Sequence, residues 1–521
     1  MKRLYCTVLA LLLVGLIFSQ TVASTMAQST ETFYVKAKLS PDNEVPAVAG
    51  LDAGGSARVQ ITVNRDSGGL ITSGSAVFEL AYQFPSAVNL VGFHIHSAAV
   101  GESGPVVINS GLGATSDATG VGSIVLPAVT LNTPDQLTAL NGLLTTPQLY
   151  YINAHTSDHP SGAIRGQVTT ETLFYKATLL PENQVPAITD LNASGSVLVT
   201  LDLTRDSSGN VTSGAIMFDA NYQVAQPPVT FVGFHIHQGL AGSNGPVVID
   251  SRLASFTDSG GTGRITRILS LPTDDTTLTT LKSIIANPPG FYVNLHTSDN
   301  PGGAIRGQLS DANQLTSIPY SIDNETFRSN LGIQNLTNLP GWVLVRVFGA
   351  DGDIYEQSIH VPARGFVQVN RINPSLGNEE EEGAIKLDPD QHVEAFASMI
   401  ENTNNFPSII PMAPRGLHLA IASATNLVRF KSSLVVFNEG STQANVNIIS
   451  RDVGGNVKTQ KTITIDAHGF YSDQDILTTL GLSSAYGPLE IRSTNNQPLS
   501  AISRVYSVTD NRGSVFAGKE F

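Results

Sequence analysis

Two short apolar segments of the sequence each carry a pair of histidines separated by a single residue. The first reads VGFHIHSAAVGESGPVV over residues 91–107, and the second reads VGFHIHQGLAGSNGPVV over residues 232–248. Alternate side chains of an extended strand point to the same side, so both imidazoles of a pair share one face. Two residues of strand rise about 6.7 Å, which allows both rings to bind one metal ion at about 2.0 Å from each nitrogen.

A third histidine follows each pair, in a later segment that also has the composition of a strand. The segments YYINAHTSD (150–158) and FYVNLHTSD (291–299) place this histidine 59 residues after the pair in both cases. The candidate metal ligands are therefore His94, His96 and His155, repeated as His235, His237 and His296. The residues expected to support these ligands are Asn153, Arg165, Asn294 and Arg306.

Three neutral imidazoles with an open fourth position suit Zn²⁺ or Cu²⁺, and intrinsic affinity favours Cu²⁺. A metal-free polar cluster is the alternative, in which each histidine donates a hydrogen bond to a loop carbonyl. A third possibility is that the histidines contact a ligand directly. The arginines of the two GAIRGQ segments, Arg165 and Arg306, either pair with Asp158 and Asp299 or attract an anion to the histidine face.

Internal duplication sets the expected architecture of the chain. FYVKAKLSPDNEVPA (33–47) returns as FYKATLLPENQVPA (174–187), and FRSNLGIQNLTN (327–338) aligns more weakly with FKSSLVVFNEGS (430–441). Short alternating runs bounded by Gly, Ser and Asn predict an all-β fold, with one short helix in each of the first two copies. The predicted parts are four immunoglobulin-like β-sandwich domains in two pairs, at 32–169, 173–310, 325–413 and 428–521, with a linker at 311–324.

Composition and charge limit where the protein works and what it binds. Residues 1–27 combine Lys2 and Arg3, an apolar run and small residues, which predicts a signal peptide and a secreted or cell-envelope protein. No later window is apolar enough to span a membrane. The single cysteine, Cys6, leaves with the signal. The net charge of −14 argues against nucleic acid as a partner.

The repeated motifs GFHIH, GPVV, HTSDxPxGAIRGQ and LxPxNxVPA resemble those of the CHRD domain of chordin and of many exported microbial proteins. This resemblance covers residues 32–169 and 173–310, and it implies an immunoglobulin-like sandwich, an extracellular address and no established enzymatic activity. A more distant likeness links GFHIH to the copper-ligand strand of Cu/Zn superoxide dismutase. That family places a metal-bridging histidine after Gly-Pro, where this chain has Val106 and Val247, so the likeness implies at most a mononuclear copper site.

The sequence favours a non-enzymatic extracellular module that binds a protein, a glycan or a surface. It contains no nucleophile elbow, phosphate-binding loop or paired-carboxylate motif, so no catalytic residue is predicted. The alternative is a protein with one three-histidine copper or zinc site per large repeat. A superoxide-dismutase-like oxidoreductase is the third candidate, and it requires an accessible ion that cycles between redox states.

Overall fold

The computed structural model describes residues 28–312, 315–349, 354–373, 381–452, 454–509 and 511–520. Within these ranges the chain is all-β, as the sequence predicts, with 58% of residues in strands and 8% in helices. The predicted signal peptide, residues 1–27, lies outside the described residues. Among the helices in the described ranges, none is long and apolar enough to cross a membrane.

The first copy folds into two antiparallel sheets that pack face to face. Its strands are β1 (Ser29–Leu39), β2 (Gly54–Arg65), β3 (Ile71–Gln83), β4 (Val88–Ser97), β5 (Val106–Asn109), β6 (Thr115–Asp117), β7 (Val121–Val125), β8 (Val129–Leu131), β9 (Tyr150–Thr156) and β10 (Ile164–Gln167). One sheet has the order β1-β2-β3-β7 with β8 beside β3, and the other has the order β10-β9-β4-β5 with β6 beside β4. Apolar side chains from both sheets form the core, where the rings of Phe78 and Phe93 lie 5.6 Å apart. Because side chains alternate along β4, its histidines lie on the opposite, outer face.

A short helix, α1 (Pro134–Thr145), packs against β3, as the sequence predicts for this copy. The Thr133 hydroxyl accepts a hydrogen bond from the Gln136 backbone N–H, and the Gln136 side chain accepts one from the Thr133 N–H. This capping box satisfies two backbone donors that the first helical turn leaves free. Pro134 occupies the first helical position, where its missing N–H costs nothing. Leu140 is fully buried and joins the helix to the core.

The second copy repeats the order of the corresponding strands, except that one strand replaces β7 and β8 and a short strand is added at the edge of the first sheet. Its elements are β11 (Glu171–Leu179), β12 (Ala193–Arg205), β13 (Val211–Val224), β14 (Val229–Gln238), β15 (Val247–Asp250), β16 (Phe256–Asp258), β17 (Thr262–Ser270), α2 (Asp275–Ala286), β18 (Phe291–Thr297), β19 (Ile305–Gln308) and β20 (Ser310–Asp311). One sheet has the order β17-β13-β12-β11-β20, and the other has the order β15-β14-β18-β19 with β16 beside β14. The helix predicted for this copy is therefore also present.

The C-terminal half contains two further groups of strands. The first group comprises β21 (Leu315–Asp323), β22 (Phe327–Asn335), β23 (Gly341–Gly349), β24 (Ile354–Val361), β25 (Phe366–Val369), β26 (Glu381–Pro389), β27 (Val393–Glu401), β28 (Pro407–Pro411) and β29 (Ala413–Pro414). The second comprises β30 (His418–Asn426), β31 (Phe430–Asn438), β32 (Ala444–Arg451), β33 (Val457–Ile465), β34 (Phe470–Asp473), the short helix α3 (Ile476–Thr479), β35 (Ala485–Ser493), β36 (Leu499–Ser507), β37 (Gly513–Ala517) and β38 (Lys519–Glu520). In the described residues the first group pairs into one nine-stranded sheet and the second into sheets of five and four strands.

The predicted linker and one predicted domain boundary in this half need correction. Strand β21 lies within the expected linker, residues 311–324, and pairs with β26. Its residues Ile318, Tyr320 and Ile322 alternate along the strand and all enter the core, so this segment is an integral part of the third group. Strand β30 precedes residue 428 and pairs with β35, so the fourth group begins before the predicted start of its domain.

Charged side chains on the outer face of the first sheet are buried against the other groups of strands. Lys36 pairs with Asp388 of β26 at 2.6 Å, and Arg58 donates a hydrogen bond to the Asp388 carbonyl at 2.8 Å. Lys38 is 2% exposed and lies 3.9 Å from the Asp202 carboxylate of the second copy. Lys38 also donates to the Asp390 carbonyl of the third group. The side-chain hydrogen bonds and ion pairs described for these cations are made to residues of the other groups, so the groups are in direct contact.

Candidate metal centre

Strands β4 and β9 are far apart in the sequence but adjacent in the second sheet of the first copy. Their facing residues are Gly92 and His155, His94 and Asn153, and His96 and Tyr151. The side chains of facing residues lie on the same side of the sheet, so this register places all three candidate ligands on the outer face. In the second copy β14 pairs with β18 in the same register, and Gly233 lies opposite His296.

The three imidazoles converge in each copy. Their ligand nitrogens lie within 4.8 Å of one another, and the ring centroids of His94 and His155 are 4.9 Å apart. Two nitrogens that bind one ion at about 2.0 Å can be at most about 4 Å apart. The observed separations exceed this limit by less than 1 Å, so small rotations of the rings would place all three nitrogens around one ion. The structure therefore brings together all six predicted ligand residues as two separate triads.

Hydrogen bonds fix which nitrogen of each ring faces the centre of the triad. In the first copy the Nδ1–H of His96 donates to the Gly104 carbonyl at 3.0 Å, and that of His155 donates to the Pro160 carbonyl at 3.1 Å. A carbonyl only accepts, so both Nε2 atoms are left with free lone pairs. These two Nε2 atoms and the Nδ1 of His94 are buried without a hydrogen-bond partner in the described part of the chain. Metal coordination is the chemistry that would satisfy all three.

The second copy has the same hydrogen bonds to loop carbonyls, but two of its rings also contact each other, so in this triad only Nε2 of His237 is buried without a partner among the described residues. The Nδ1 atoms of His237 and His296 lie 3.0 Å from the carbonyls of Gly245 and Pro301, respectively. The Nδ1 of His235 lies 3.1 Å from the Nε2 of His296. Two nitrogens bound tetrahedrally to one ion at about 2.0 Å are about 3.3 Å apart. This pair is therefore already close to the spacing that a shared ion requires.

The glycine of each GFHIH motif leaves room for the first histidine ring. A Cβ atom at Gly92 would lie 2.7 Å from the Cε1 atom of His94 and 3.5 Å from the Cδ2 atom of His155. A Cβ atom at Gly233 would lie 2.7 Å from the corresponding atom of His235. The motif therefore needs glycine for space, because the imidazole folds back over the backbone so that its Nδ1 points at the triad.

Burial keeps the imidazoles neutral near physiological pH. Burial, together with the neighbouring His155 and His96, lowers the pKa of His94 to about 4. Burial is also the largest cause that lowers the pKa values of the other ligand candidates: His96, His155, His235, His237 and His296. A neutral imidazole is the form that binds a metal ion, so an ion would not have to displace protons from these rings at pH 7.

A three-layer stack supports the second histidine of each pair. The ring of His96 stacks on that of Tyr151 at 4.7 Å between centroids, and the guanidinium of Arg165 lies 3.4 Å from the centre of the same tyrosine ring. The second copy repeats this stack with Tyr292 and Arg306. The tyrosines are site residues that the sequence analysis missed. Their position on the same strand face as the third histidine was the available signal.

The arginines are buried supports, which corrects both expectations for them. Arg165 and Arg306 are only 2% and 1% exposed, so neither side chain is open to attract an anion. The Arg165 guanidinium donates to the Ala99 carbonyl at 3.3 Å, and among the described residues it forms no ion pair with Asp158. Arg306 likewise donates to carbonyls of its loop, including that of Ser243 at 2.7 Å. Each arginine thus binds the loop that also contains the glycine whose carbonyl orients the second histidine, Gly104 in the first copy and Gly245 in the second.

The asparagines lie beside the triads and contact neighbouring polar side chains. Asn153 donates to the Glu44 carboxylate at 3.3 Å, whereas Asn294 accepts from Gln184 at 2.7 Å in the second copy. Burial raises the pKa of Glu44 to about 7, against the opposing effects of Arg165 and of the bond from Asn153. Glu44 is the second residue that sequence reasoning missed, since it belongs to the distant PDNEVPA segment.

Comparison with known proteins identifies the family. The CHRD domain profile matches residues 35–168 and 175–309, which together make up about half of the chain. The chain belongs to the CHRD-domain family. Each match contains one complete histidine triad, and the predicted presence of two tandem CHRD domains is confirmed.

Other comparisons add nothing on function. No curated protein matches this chain. A solved structure described as "Crystal structure of tetra-tandem repeat in extending region of large adhesion protein" aligns over 85% of this chain and 95% of that chain. The identity is 11% and the TM-score is 0.10, so this alignment carries no argument about the fold or the function.

Each CHRD copy offers ligands for one ion. Among the described residues, the two triads are the groups of three or more His, Cys, Asp or Glu side chains close enough to share an ion. Val106, which follows Gly-Pro, is 46% exposed and has no ligand atom. The geometry therefore fits a mononuclear centre with three nitrogen ligands and a further position for water or another ligand.

Proposed function

We propose that this CHRD-domain protein is an exported, non-enzymatic protein that binds one copper or zinc ion in each of its two CHRD copies. The single observation that carries the proposal is the convergence of three buried ring nitrogens without partners. In the first copy these are Nδ1 of His94 and Nε2 of His96 and His155. Leaving such atoms buried and unsatisfied costs free energy, and a bound ion removes that cost.

The supporting interactions favour a metal site over a metal-free polar cluster. In a polar cluster the rings would satisfy one another or the loops through both nitrogens, and in the second copy His235 and His296 do lie within hydrogen-bond distance of each other. In the first copy, by contrast, the loop carbonyls of Gly104 and Pro160 each take one N–H, and the three remaining ring nitrogens have no partner among the described residues. Hydrogen bonds of this kind to the second ring nitrogen are the usual support of a metal-binding histidine.

The ligand chemistry limits the choice of ion. Neutral imidazoles suit copper and zinc, and the intrinsic order of affinities favours Cu²⁺ over Zn²⁺. The only cysteine of the chain, Cys6, lies far from either triad in the sequence. We therefore expect Cu²⁺ to displace Zn²⁺ when both are offered at equal concentration.

The dismutase-like function is the weaker candidate. An arginine that guides superoxide to the ion would have to be open to a small anion, and Arg165 and Arg306 are instead buried against tyrosine rings. The most exposed ligand of each triad is its first histidine, which is only half-buried. We place access to the ion on this side, and we expect slow ligand exchange there and no superoxide turnover above that of free copper.

A second candidate function, compatible with the first, is the binding of an extracellular protein, glycan or surface partner. Membership of the CHRD-domain family and the duplication of the module support it. In this proposal residues 1–27 direct export and the C-terminal groups of strands form two further sandwiches. All four domains then have an immunoglobulin-like arrangement, and the C-terminal pair presents the CHRD copies outside the cell or in the envelope.

Elemental analysis of the untagged protein tests the proposed function. Protein purified from the exported fraction should contain about two copper or zinc ions per chain after dialysis. His96→Ala and His237→Ala should each remove about one ion, and the double variant should remove both. Wild-type protein that stays metal-free, and whose melting temperature does not change on addition of Cu²⁺ or Zn²⁺, would contradict the metal proposal and leave the partner-binding function.

A further inference from the structure

The two triads differ at one residue that lies beside the first histidine. The segment GPVVINS (104–110) of the first copy becomes GPVVIDS (245–251) in the second. Strand pairing places Asn109 opposite His94 and Asp250 opposite His235. The same position beside the same ligand is therefore a neutral amide in one copy and a carboxylate in the other.

The carboxylate approaches the ring nitrogen that does not face the triad. Asp250 Oδ1 lies 3.4 Å from Nε2 of His235, while Nδ1 of that ring lies 3.1 Å from the His296 ring. This contact is at ion-pair distance and Asp250 is 60% exposed, so the carboxylate lies beside Nε2, where a small movement would let it accept the Nε2–H, and away from the nitrogen that faces the triad. The backbone N–H of Arg252 donates to the same Asp250 oxygen at 2.8 Å and fixes its position.

The first copy has the same local turn without the charge. Asn109 Oδ1 accepts a hydrogen bond from the Gly111 backbone N–H at 2.8 Å, just as Asp250 accepts one from Arg252. The local turn is thus shared, and the side chain beside the first histidine carries a charge only in the second copy. A hydrogen bond to a charged acceptor is roughly twice as strong as one to a neutral acceptor.

A carboxylate that accepts the second N–H of a metal-binding imidazole holds the required tautomer and makes the ligand nitrogen more basic. Loss of such a partner typically lowers metal affinity about 10-fold to 100-fold. The negative charge also lies close to a dication, which it stabilises through space. Both effects act only in the second copy.

A second difference places a carboxylate near the first triad and an amide near the second. This difference does not cancel the effect of Asp250. The first copy has Glu44 where the second has Gln184. Glu44 accepts from the Asn153 amide and not from an imidazole, and Arg165 is its cationic neighbour. Its charge therefore neither sets a histidine tautomer nor acts on the ion without compensation.

We propose that Asp250 is a positioning residue that makes the triad of the second CHRD copy the tighter of the two metal sites. The chain then binds its first ion at His235, His237 and His296 and its second at His94, His96 and His155. The inference rests on the proposed function, since it assumes that both triads bind a metal ion.

Single-site chains test the order of affinities with Cu²⁺ as the probe. His96→Ala leaves the second triad intact, and His237→Ala leaves the first. Titration against a competing chelator at neutral pH should give a dissociation constant about tenfold lower for the His96→Ala chain. Equal constants for the two chains would overturn the inference but not the proposed function, whereas the absence of binding to both would overturn the proposed function.

Exchanging Asp250 and Asn109 between the copies separates the effect of the carboxylate charge from other differences between the two sites. Asp250→Asn in the His96→Ala chain should weaken Cu²⁺ binding about tenfold, and Asn109→Asp in the His237→Ala chain should strengthen it. Asp250→Asn should also change the copper hyperfine splitting in the electron paramagnetic resonance spectrum. Asp250→Glu should restore part of the affinity, which a merely structural role would not predict. Unchanged affinity and spectrum in Asp250→Asn would overturn the inference.

Discussion

At the residue scale, ring orientation decides which atoms of the histidines are available. The first histidine of each triad presents Nδ1, whereas the other two present Nε2 because loop carbonyls take their Nδ1–H groups. The first histidine can point its Nδ1 at the triad only because the residue two positions before it is glycine. Any side chain there would push the imidazole ring aside. Gly92 is therefore as much a part of the site as the imidazoles.

We expect Gly92→Ala to remove the first metal ion without unfolding the protein. The new Cβ atom would lie 2.7 Å from a ring atom of His94, and that ring is the mobile end of a side chain, so it should rotate away. Metal content should fall by about one ion per chain, while the far-ultraviolet circular dichroism stays unchanged.

Gly113→Ala is the matched control for this change. Nothing lies within 4 Å of a Cβ atom at Gly113, so this variant should keep both ions. Gly233→Ala should remove the other ion for the reason given for Gly92. Full metal content in both Gly92→Ala and Gly233→Ala would show that the ring orientations are not those required for binding.

At the element scale, the strand that carries the third histidine also carries the tyrosine under the second. Tyr151 on β9 separates the His96 ring from the Arg165 guanidinium, and its hydroxyl accepts from the Gly104 N–H at 3.3 Å. Gly104 is also the residue whose carbonyl fixes the His96 tautomer. One side chain thus positions both the ligand ring and the loop that orients it.

We expect Tyr151→Ala to lower both stability and metal binding in the first copy. Removing a buried aromatic ring costs about 3 kcal/mol, and it leaves His96 and Arg165 without their stacking partner. The free energy of unfolding would be measured with urea, and the metal content by elemental analysis.

Tyr151→Phe keeps the ring and should behave almost like the wild type in both measurements. The second triad supplies an internal reference, because Tyr151→Ala should leave its ion in place. If Tyr151→Ala and Tyr151→Phe lose metal equally, the hydroxyl and not the stack is the important feature of this residue.

At the scale of the whole molecule, buried charges join the groups of strands. Lys38 of the first copy is surrounded by Asp202 of the second copy and the Asp390 carbonyl of the third group. Breaking a buried pair is costly, because one charge remains without a partner in a poorly solvated position. The C-terminal half is therefore tied to the CHRD copies by polar groups that only this arrangement satisfies.

We expect Lys38→Met to lower the free energy of unfolding by about 3 kcal/mol, because Asp202 would remain buried without its nearest cation. The single tryptophan, Trp342, reports on this junction, since its backbone N–H donates to the Asp390 carboxylate at 2.8 Å. Its fluorescence during urea unfolding provides the measurement.

Arg65→Gln removes one partner of an ion pair at the protein surface and is the control. Arg65 pairs with Glu31 at 3.2 Å in a solvent-exposed position, where such pairs contribute about 0.2–1 kcal/mol. Lys38→Met and Arg65→Gln should therefore differ clearly in their unfolding midpoints. Equal midpoints would show that the buried pair does not hold the groups together.

The all-β class, the duplication and the shared face of the histidines follow from local patterns in the sequence. These properties are local, because strand alternation and turn residues act over a few positions. The alternation of side chains along a strand places His94 and His96 on one face. The equal spacing in both copies indicated His155 and His296 as the third ligands. The alternating apolar residues of β21 can also be read from the sequence and indicate a strand. Because they lie between two repeats, the segment was wrongly predicted to be a linker.

Which of these residues act together depends on how distant strands pack. The register of β4 against β9 is a long-range property, and it sets His155 opposite Gly92 and so brings three imidazoles to one point. The burial of Arg165 under Tyr151 and the approach of Glu44 also depend on distant strands and loops. A sequence shows the chemical type of each group, whereas the distances between groups follow from packing, and metal binding depends on those distances.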